Sequence, residues 1–273
     1  MLRTLRPAVL AFAAVGLLST AACQITTNDD GSVTLKPAKR FNGTPENASH
    51  AWTSGQSIVV YNDNGETKII ADSSASEVKV VGKPFAFDGE EEDAKKTIEE
   101  KLTLKVAEEN GEIVVAATMA GSGSYGYDLE VHIPSSFDGA LDVQQGNGDV
   151  EIVSVGNSAA TRVNSDNGDI TATKVTLTNR IELTTGLGDI IANILPTGTE
   201  KSLVHTDMGD LSIGIPEGAN LTIQASAENG TVSYPEGWPA NATEDKSQVA
   251  ITLGSGETQL DVSTKNGDLE FRQ

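Results

Sequence analysis

Carboxylates offer this chain its most regular chemistry. Asp149, Asp169, Asp189, Asp210 and Asp268 each follow a glycine: Gly148, Gly168, Gly188, Gly209 and Gly267. The first four acids are spaced 20, 20 and 21 residues apart. A further step of 21 reaches Thr231, behind Asn229-Gly230, so that copy keeps the turn and loses the acid. The last interval, 37 residues, reads as that copy plus an insertion. Carboxylates gathered by such a period could ligate Ca²⁺ or act as acid and base on a glycosidic bond. Calcium takes about six to eight oxygens, and one acid per repeat supplies few of them. No cofactor is therefore expected, with Ca²⁺ between repeats left open as the alternative. The plainer reading is that each Asp accepts backbone N–H groups within its own turn while facing water.

Other reactive residues are scattered. His50, His132 and His205 are the only histidines, and none has the spacing of a zinc site. No Gly-x-Ser-x-Gly nucleophile elbow occurs. Residues 121–126 spell Gly-x-Gly-x-x-Gly, but an alternating strand follows (Tyr127, Leu129, Val131, Ile133) where a nucleotide loop needs a helix. A hairpin loop is expected there. Catalytic residues are not expected. The alternative is a carbohydrate-active β-helix enzyme, motivated by the acids and by Trp238 on a loop.

The elements that position the acids are legible in the alternation. One residue past each turn stand Val150, Ile170, Ile190, Leu211, Val232 and Leu269; three past stand Ile152, Ala172, Ala192, Ile213, Tyr234 and Phe271. Glu151, Thr171, Ile191, Ser212, Ser233 and Glu270 lie between them, so one strand face is apolar and the other mostly polar. A second inward strand precedes each turn, as in Leu141/Val143, Ile181/Leu183 and Leu260/Val262. The expected fold is all-β: a β-solenoid, parallel β-helix-like, of about 20-residue repeats with Gly-Asp turns. Stacked rungs would set the acids about 4.8 Å apart, where two charges repel by about 0.9 kcal/mol even in water. Something must offset that. The strand Leu269–Phe271 before Gln273 is expected to end the stack as an open edge, a possible assembly surface.

These strand–Asn-Gly-Asp–strand units, after Val131-His132-Ile133-Pro134, resemble a bacterial family of unknown function. That family is usually described as adhesin-like, with β-strand repeats, and is related to candidate autotransporter-adhesin head domains. The resemblance covers about Gln56 to the C-terminus. It implies an extracytoplasmic solenoid-like domain, often on an anchored protein, and brings no catalytic residues.

Residues 1–22 read as a secretory signal: Arg3 and Arg6, an apolar run over Ala8–Leu18, then small residues. Cys23, the only cysteine, follows Thr20-Ala21-Ala22 and resembles a lipobox, with Thr20 in place of the usual Leu. A lipid there would anchor the protein to a membrane. Gln24 rather than Asp after it fits outer-membrane sorting, so a cell-envelope lipoprotein is expected. Residues 23–55 read as the anchor Cys and a flexible tether, and 56–273 as the repeat domain, clearest over 141–273. Acids precede lysines over 89–101, which predicts one short surface helix there, with Asp88 and Glu91 as a capping pair. Without the signal, 17 Lys and Arg remain against 39 Asp and Glu, a net charge of −22. That disfavours nucleic acid. An envelope protein or a glycan is the expected partner.

Overall fold

The computed structural model describes residues 23–27, 33–156 and 158–273. The signal expected over 1–22 lies outside the described residues. Among the described residues the protein is mostly strand, with two large sheets of 11 strands each.

Eight rungs build the body, each giving one strand to each sheet with a corner between. In spatial order, rung one is Glu112–Met119 with Tyr125–Pro134, and rung two is Ile58–Asn64 with Thr67–Asp72. Rung three is Ala140–Asn147 with Val150–Val153, and rung four Ala160–Asn167 with Ile170–Thr178. Rung five is Ile181–Leu187 with Ile190–Pro196, and rung six Ser202–Met208 with Leu211–Gly214. Rung seven is Thr258–Asn266 with Leu269–Arg272, and rung eight Leu221–Asn229 with Val232–Ser233.

Parallel pairing in register turns the alternation into apolar columns between the sheets. Val115, Val60, Val143, Val163, Leu183, Val204, Val262 and Ala225 stack in one such column, all buried. Ile69, Ile152, Ala172, Ala192, Ile213 and Phe271 form a facing one. Each large aliphatic side chain so buried contributes about 1.5–3 kcal/mol relative to exposure. No disulfide is available to a chain with one cysteine, so this stacking is the main source of stability.

Rung order departs from chain order at both ends. Residues 258–272 lie between 202–214 and 221–233, which are consecutive in sequence. Likewise 58–72 lies between 112–134 and 140–153. The expected open edge at Leu269–Phe271 is thus corrected. Leu269 N–H donates to Thr231 O (2.9 Å), and Asp268 O accepts Leu211 N–H (2.9 Å), so the strand is paired on both sides over Leu269 and Glu270.

Antiparallel strands close the stack. Gln248–Leu253 lies antiparallel on Leu221–Asn229, with Ala240–Ala242 beyond it. At the opposite end, Leu102–Glu109 covers Glu112–Met119, and Glu77–Asp88 covers Tyr125–Pro134. Their hydrogen-bond spacing differs from the parallel repeat, and they cover its edges except in the sheet that ends on Val232–Ser233.

Residues 39–51 were expected in the tether. They form strands instead: Lys39–Asn42 and Glu46–Ala51 pair antiparallel with Glu77–Asp88. This partner is non-local, so no local period announces it. Cys23–Thr27 and Val33–Pro37 make a separate antiparallel pair.

The helix predicted over 89–101 is Glu91–Lys101, with Ala94 buried and Lys95 Nζ 2.8 Å from Glu91 Oε1. The expected Asp88–Glu91 capping pair does not form. Glu90 is the N-cap residue without a side-chain cap bond, while Asp88 Oδ1 accepts the amides of Gly89 (2.6 Å) and Glu90 (3.4 Å).

Residues 121–126 are not a hairpin loop either. They join the two strands of rung one, which belong to different sheets, so the glycine-rich segment is a corner.

Candidate functional site

The predicted turn residues come together along one corner of the stack. Asn147, Asn167, Leu187, Met208 and Asn266 pair in register just before it. Each following glycine has positive φ, from 119° at Gly148 to 151° at Gly209. Stacking imposes a second demand on these glycines. A Cβ on Gly188 would lie 2.2 Å from Gly168 O, and one on Gly168 2.2 Å from Gly148 O. Backbones this close leave no room for any side chain.

The aspartates are linked from rung to rung. Asp169 N–H donates to Asp149 Oδ1 (2.9 Å), Asp189 N–H to Asp169 Oδ1 (2.8 Å), and Asp210 N–H to Asp189 Oδ1 (2.7 Å). Asp268 N–H donates to Asp210 Oδ1 (2.7 Å), and Thr231 N–H to Asp268 Oδ1 (2.8 Å). The expectation that each Asp serves its own turn is therefore corrected: each carboxylate accepts the amide of the next rung. An N–H held by a carboxylate is a charge-assisted bond, which offsets the repulsion between neighbouring acids. At rung one, Asp128 fills the same position and accepts Glu66 N–H at 3.3 Å. Asp149, Asp169, Asp189, Asp210 and Asp268 are all exposed.

Behind the acids runs a buried polar column that sequence reasoning missed. Asn62, Gln145, Ser165, Thr185, Thr206 and Thr264 stand in register, each three residues before its corner glycine. Thr185 Oγ1 donates to Gly168 O (2.9 Å), Thr206 Oγ1 to Gly188 O (2.9 Å), and Thr264 Oγ1 to Gly209 O (3.0 Å). Gln145 Nε2 donates to Gly65 O (2.7 Å) and Asn62 Nδ2 to Tyr127 O (3.0 Å). The Ser165 hydroxyl, by contrast, has no partner. A polar residue at a constant offset before each glycine was the signal available.

Two further clusters lie on the outer faces. His205 Nδ1 is 2.8 Å from Ser263 Oγ, and its Nε2 is 2.9 Å from Asp207 Oδ1. The three residue types are those of a serine hydrolase. Here, however, Asp207 also binds Lys265 Nζ at 2.6 Å. Lys265 and then His205 hold the Asp207 carboxyl below the usual range. Both strands are paired on both edges, so their amides are used in the sheet and form no oxyanion cradle. A groove of about 590 Å³ lies beside this cluster, lined by Leu203, Gln224, Asp261 and Ser263 among others. Elsewhere, His132 Nε2 is 2.8 Å from Glu130 Oε1 and its Nδ1 3.5 Å from Asp72 Oδ2. The histidines are thus separate surface groups. Among the described residues, no group of three or more His, Cys, Asp or Glu is placed to hold a metal ion.

Trp238 is half-buried, tilted against Phe271 with ring centroids 6.1 Å apart. It covers the end of the stack. Trp52 packs in the same way on Phe137 at 6.0 Å. Tyr127, buried and donating to Glu46 Oε1 at 2.7 Å, has its pKa raised, first by burial and then by that bond.

Residues 55–197 and 158–272 match the family model Toastrack DUF4097, and these two matches span most of the chain. The chain belongs to the Toastrack DUF4097 family. This agrees with the resemblance to an adhesin-like family of unknown function. Among solved structures, the Toastrack chain is similar to a candidate cell adhesion protein from Clostridium sporogenes. That match has 12% identity and a TM-score of 0.49, covering 84% of this chain and 100% of the other. It is also similar to a candidate adhesin from Bacteroides fragilis (10% identity, TM-score 0.34, 84% and 97% covered). A third match is a candidate lipid binding protein from Parabacteroides distasonis (10% identity, TM-score 0.31, 85% and 98% covered). Comparison with curated proteins gives no match. Among the described residues, no helix is long and apolar enough to cross a membrane.

Proposed function

We propose that this Toastrack protein is an exported, non-enzymatic, adhesin-like protein of the cell envelope. A lipid on Cys23 anchors it to the outer membrane, and residues 56–273 present a surface to an envelope protein or a glycan. Its repeating unit is a rung of about 20 residues turned by a Gly-Asp corner. One observation carries the non-catalytic part. The carboxylates that recur through the sequence each accept an amide of the neighbouring rung, as Asp189 does from Asp210, so their first task is to join rungs. The anchoring part rests on Thr20-Ala21-Ala22-Cys23 after an apolar run. Two or more acyl chains on one cysteine give stable membrane attachment.

The test is the intact mass and membrane partitioning of the full chain expressed in a lipoprotein-processing bacterium, beside Cys23→Ala. Acyl mass and sedimentation with membranes are expected for the wild type, with release of the variant. If both forms are soluble and unmodified, the anchored reading fails.

A further inference from the structure

The corner ladder changes character over rungs five and six. At the position two before the Asp, rungs two, three, four, seven and eight carry Asn, and neighbouring side chains link: Asn167 Nδ2 donates to Asn147 Oδ1 (3.0 Å), and Asn229 Nδ2 to Asn266 Oδ1 (3.1 Å). Rungs five and six carry Leu187 and Met208 instead, paired in register and 45% and 51% exposed. Ile191, two residues past Asp189 on the other side of the same corner, is 48% exposed. These are three of the four large hydrophobic side chains exposed among the described residues; the fourth, Tyr61, is on another rung. Half-exposed apolar groups contribute little to the fold, and here they forgo the Asn-to-Asn bonds. Single exposed hydrophobics need no explanation, but a cluster rimmed by polar groups marks an interaction site.

The rim is acidic. Asp169, Asp189 and Asp210 follow one another along the corner, each exposed and with Oδ1 on an amide, which leaves its second oxygen for a ligand. Asp166, also exposed, sits opposite Gly186 on the neighbouring rung. The neighbouring cations are engaged: Lys265 Nζ with Asp207 (2.6 Å), and Arg272 Nη2 with Ser212 O (3.4 Å).

We propose that this corner docks a cationic amphipathic segment of a partner protein. Its apolar side chains seat on Leu187, Met208 and Ile191, and its lysines or arginines meet the second oxygens of Asp169, Asp189 and Asp210. The apolar contact supplies affinity, and the charge sets orientation and encounter rate. This names the partner class for the surface-presenting reading and rests on that reading only for there being a partner.

The test uses the full chain and a fluorescein-labelled peptide of alternating leucine and lysine, with a leucine–glutamate peptide as control. Leu187→Asn/Met208→Asn gives these positions the residue type of the flanking rungs, Asn167 and Asn266, so its melting temperature should hold or rise. Binding of the leucine–lysine peptide should weaken tenfold or more in that variant. Asp189→Asn, which keeps an acceptor oxygen and removes the charge, should weaken it severalfold and flatten its salt dependence. Equal binding by wild type and the Leu187/Met208 variant would show only general attraction to an acidic protein and would overturn the proposal. So would absence of binding to the wild type. Sedimentation showing that the wild type self-associates and the double variant does not would assign the patch to a second copy, and the partner would be discarded. None of these readouts depends on the Cys23 lipid, so failure here and failure of anchoring are separable.

Discussion

Asp268 Oδ1 accepts both the backbone N–H (2.8 Å) and the hydroxyl (3.0 Å) of Thr231, a residue 37 positions earlier in the chain. This relationship explains why one copy of the corner lacks its acid. Rung eight has no further parallel rung beyond it, so its corner residue has no next amide to accept. A hydroxyl that donates back to Asp268 suits that end position better than a carboxylate. Asp268 is the last acid of the series in sequence but lies inside the stack. Thr231→Asp should therefore destabilise by about 1 kcal/mol, through the lost hydroxyl bond and the new repulsion. Thermal melting would register this as about 2–4 °C for a domain of this size. An unchanged or raised melting temperature would contradict the end-position account.

Gly188 tests the closeness of the rungs. Its φ is 148°, and a Cβ would meet Gly168 O at 2.2 Å. Gly188→Ala should cost about 3 kcal/mol or more, from backbone strain together with overpacking. Urea unfolding measures it. A loss no larger than that of an ordinary surface alanine would mean that the rungs stand further apart.

The buried polar column yields a contrast between two small residues. Thr206→Val removes the donor to Gly188 O and leaves a buried carbonyl without a partner, at a cost of about 1–3 kcal/mol. Ser165→Ala removes a hydroxyl that has no partner, so it should be neutral or slightly stabilising. Denaturation of the two variants side by side checks the difference. Equal losses would mean that the column contributes nothing as a hydrogen-bonding device.

Much of this fold is legible in the sequence because its information is local. Val150, Ile152 and their counterparts alternate with polar residues, and that pattern alone gives the strands and their inward faces. Gly148-Asp149 and its copies give the corner. Rung order is not legible, because strand copies of similar composition can pair with any neighbour. Only the missing acid at Thr231 hints that 221–233 sits at an end. The strands at 39–51 pair with residues 26 to 49 positions away, and no local period records that. The direction of the aspartate bonds was also hidden, since an Asp after Gly suits an acceptor in its own turn and one for the next rung equally well. Nor did the sequence bring Ser263 to His205, which are 58 residues apart and meet only because rung seven is inserted beside rung six.

Asp245 carries a readable pH signature. Its carboxylate accepts the Ser247 amide (3.0 Å) and the hydroxyls of Thr243 (2.7 Å) and Ser247 (2.9 Å), which lower its pKa to about 2. A depressed folded-state pKa stabilises above the unfolded value of 3.8, and that contribution is lost as pH falls from there through about 2. Carboxyl NMR titration should place its midpoint near that lower value, and Asp245→Ala should remove this step from the acid unfolding of the 243–248 turn. A midpoint at the ordinary value would show that the turn bonds are absent in solution.

The corner acids join rungs, and we propose that they serve neither as ion ligands nor as catalysts. The most direct measurement is the melting temperature of wild type, Asp189→Asn and Asp189→Ala, each in EDTA and in millimolar Ca²⁺. Asparagine keeps an oxygen for Asp210 N–H, while alanine leaves that amide without it. The account predicts that Asn melts close to wild type and that Ala loses about 1–2 kcal/mol, with no calcium shift in any of the three. Equal losses in Asn and Ala, together with a calcium-dependent rise confined to the wild type, would contradict it and make the corner a calcium column.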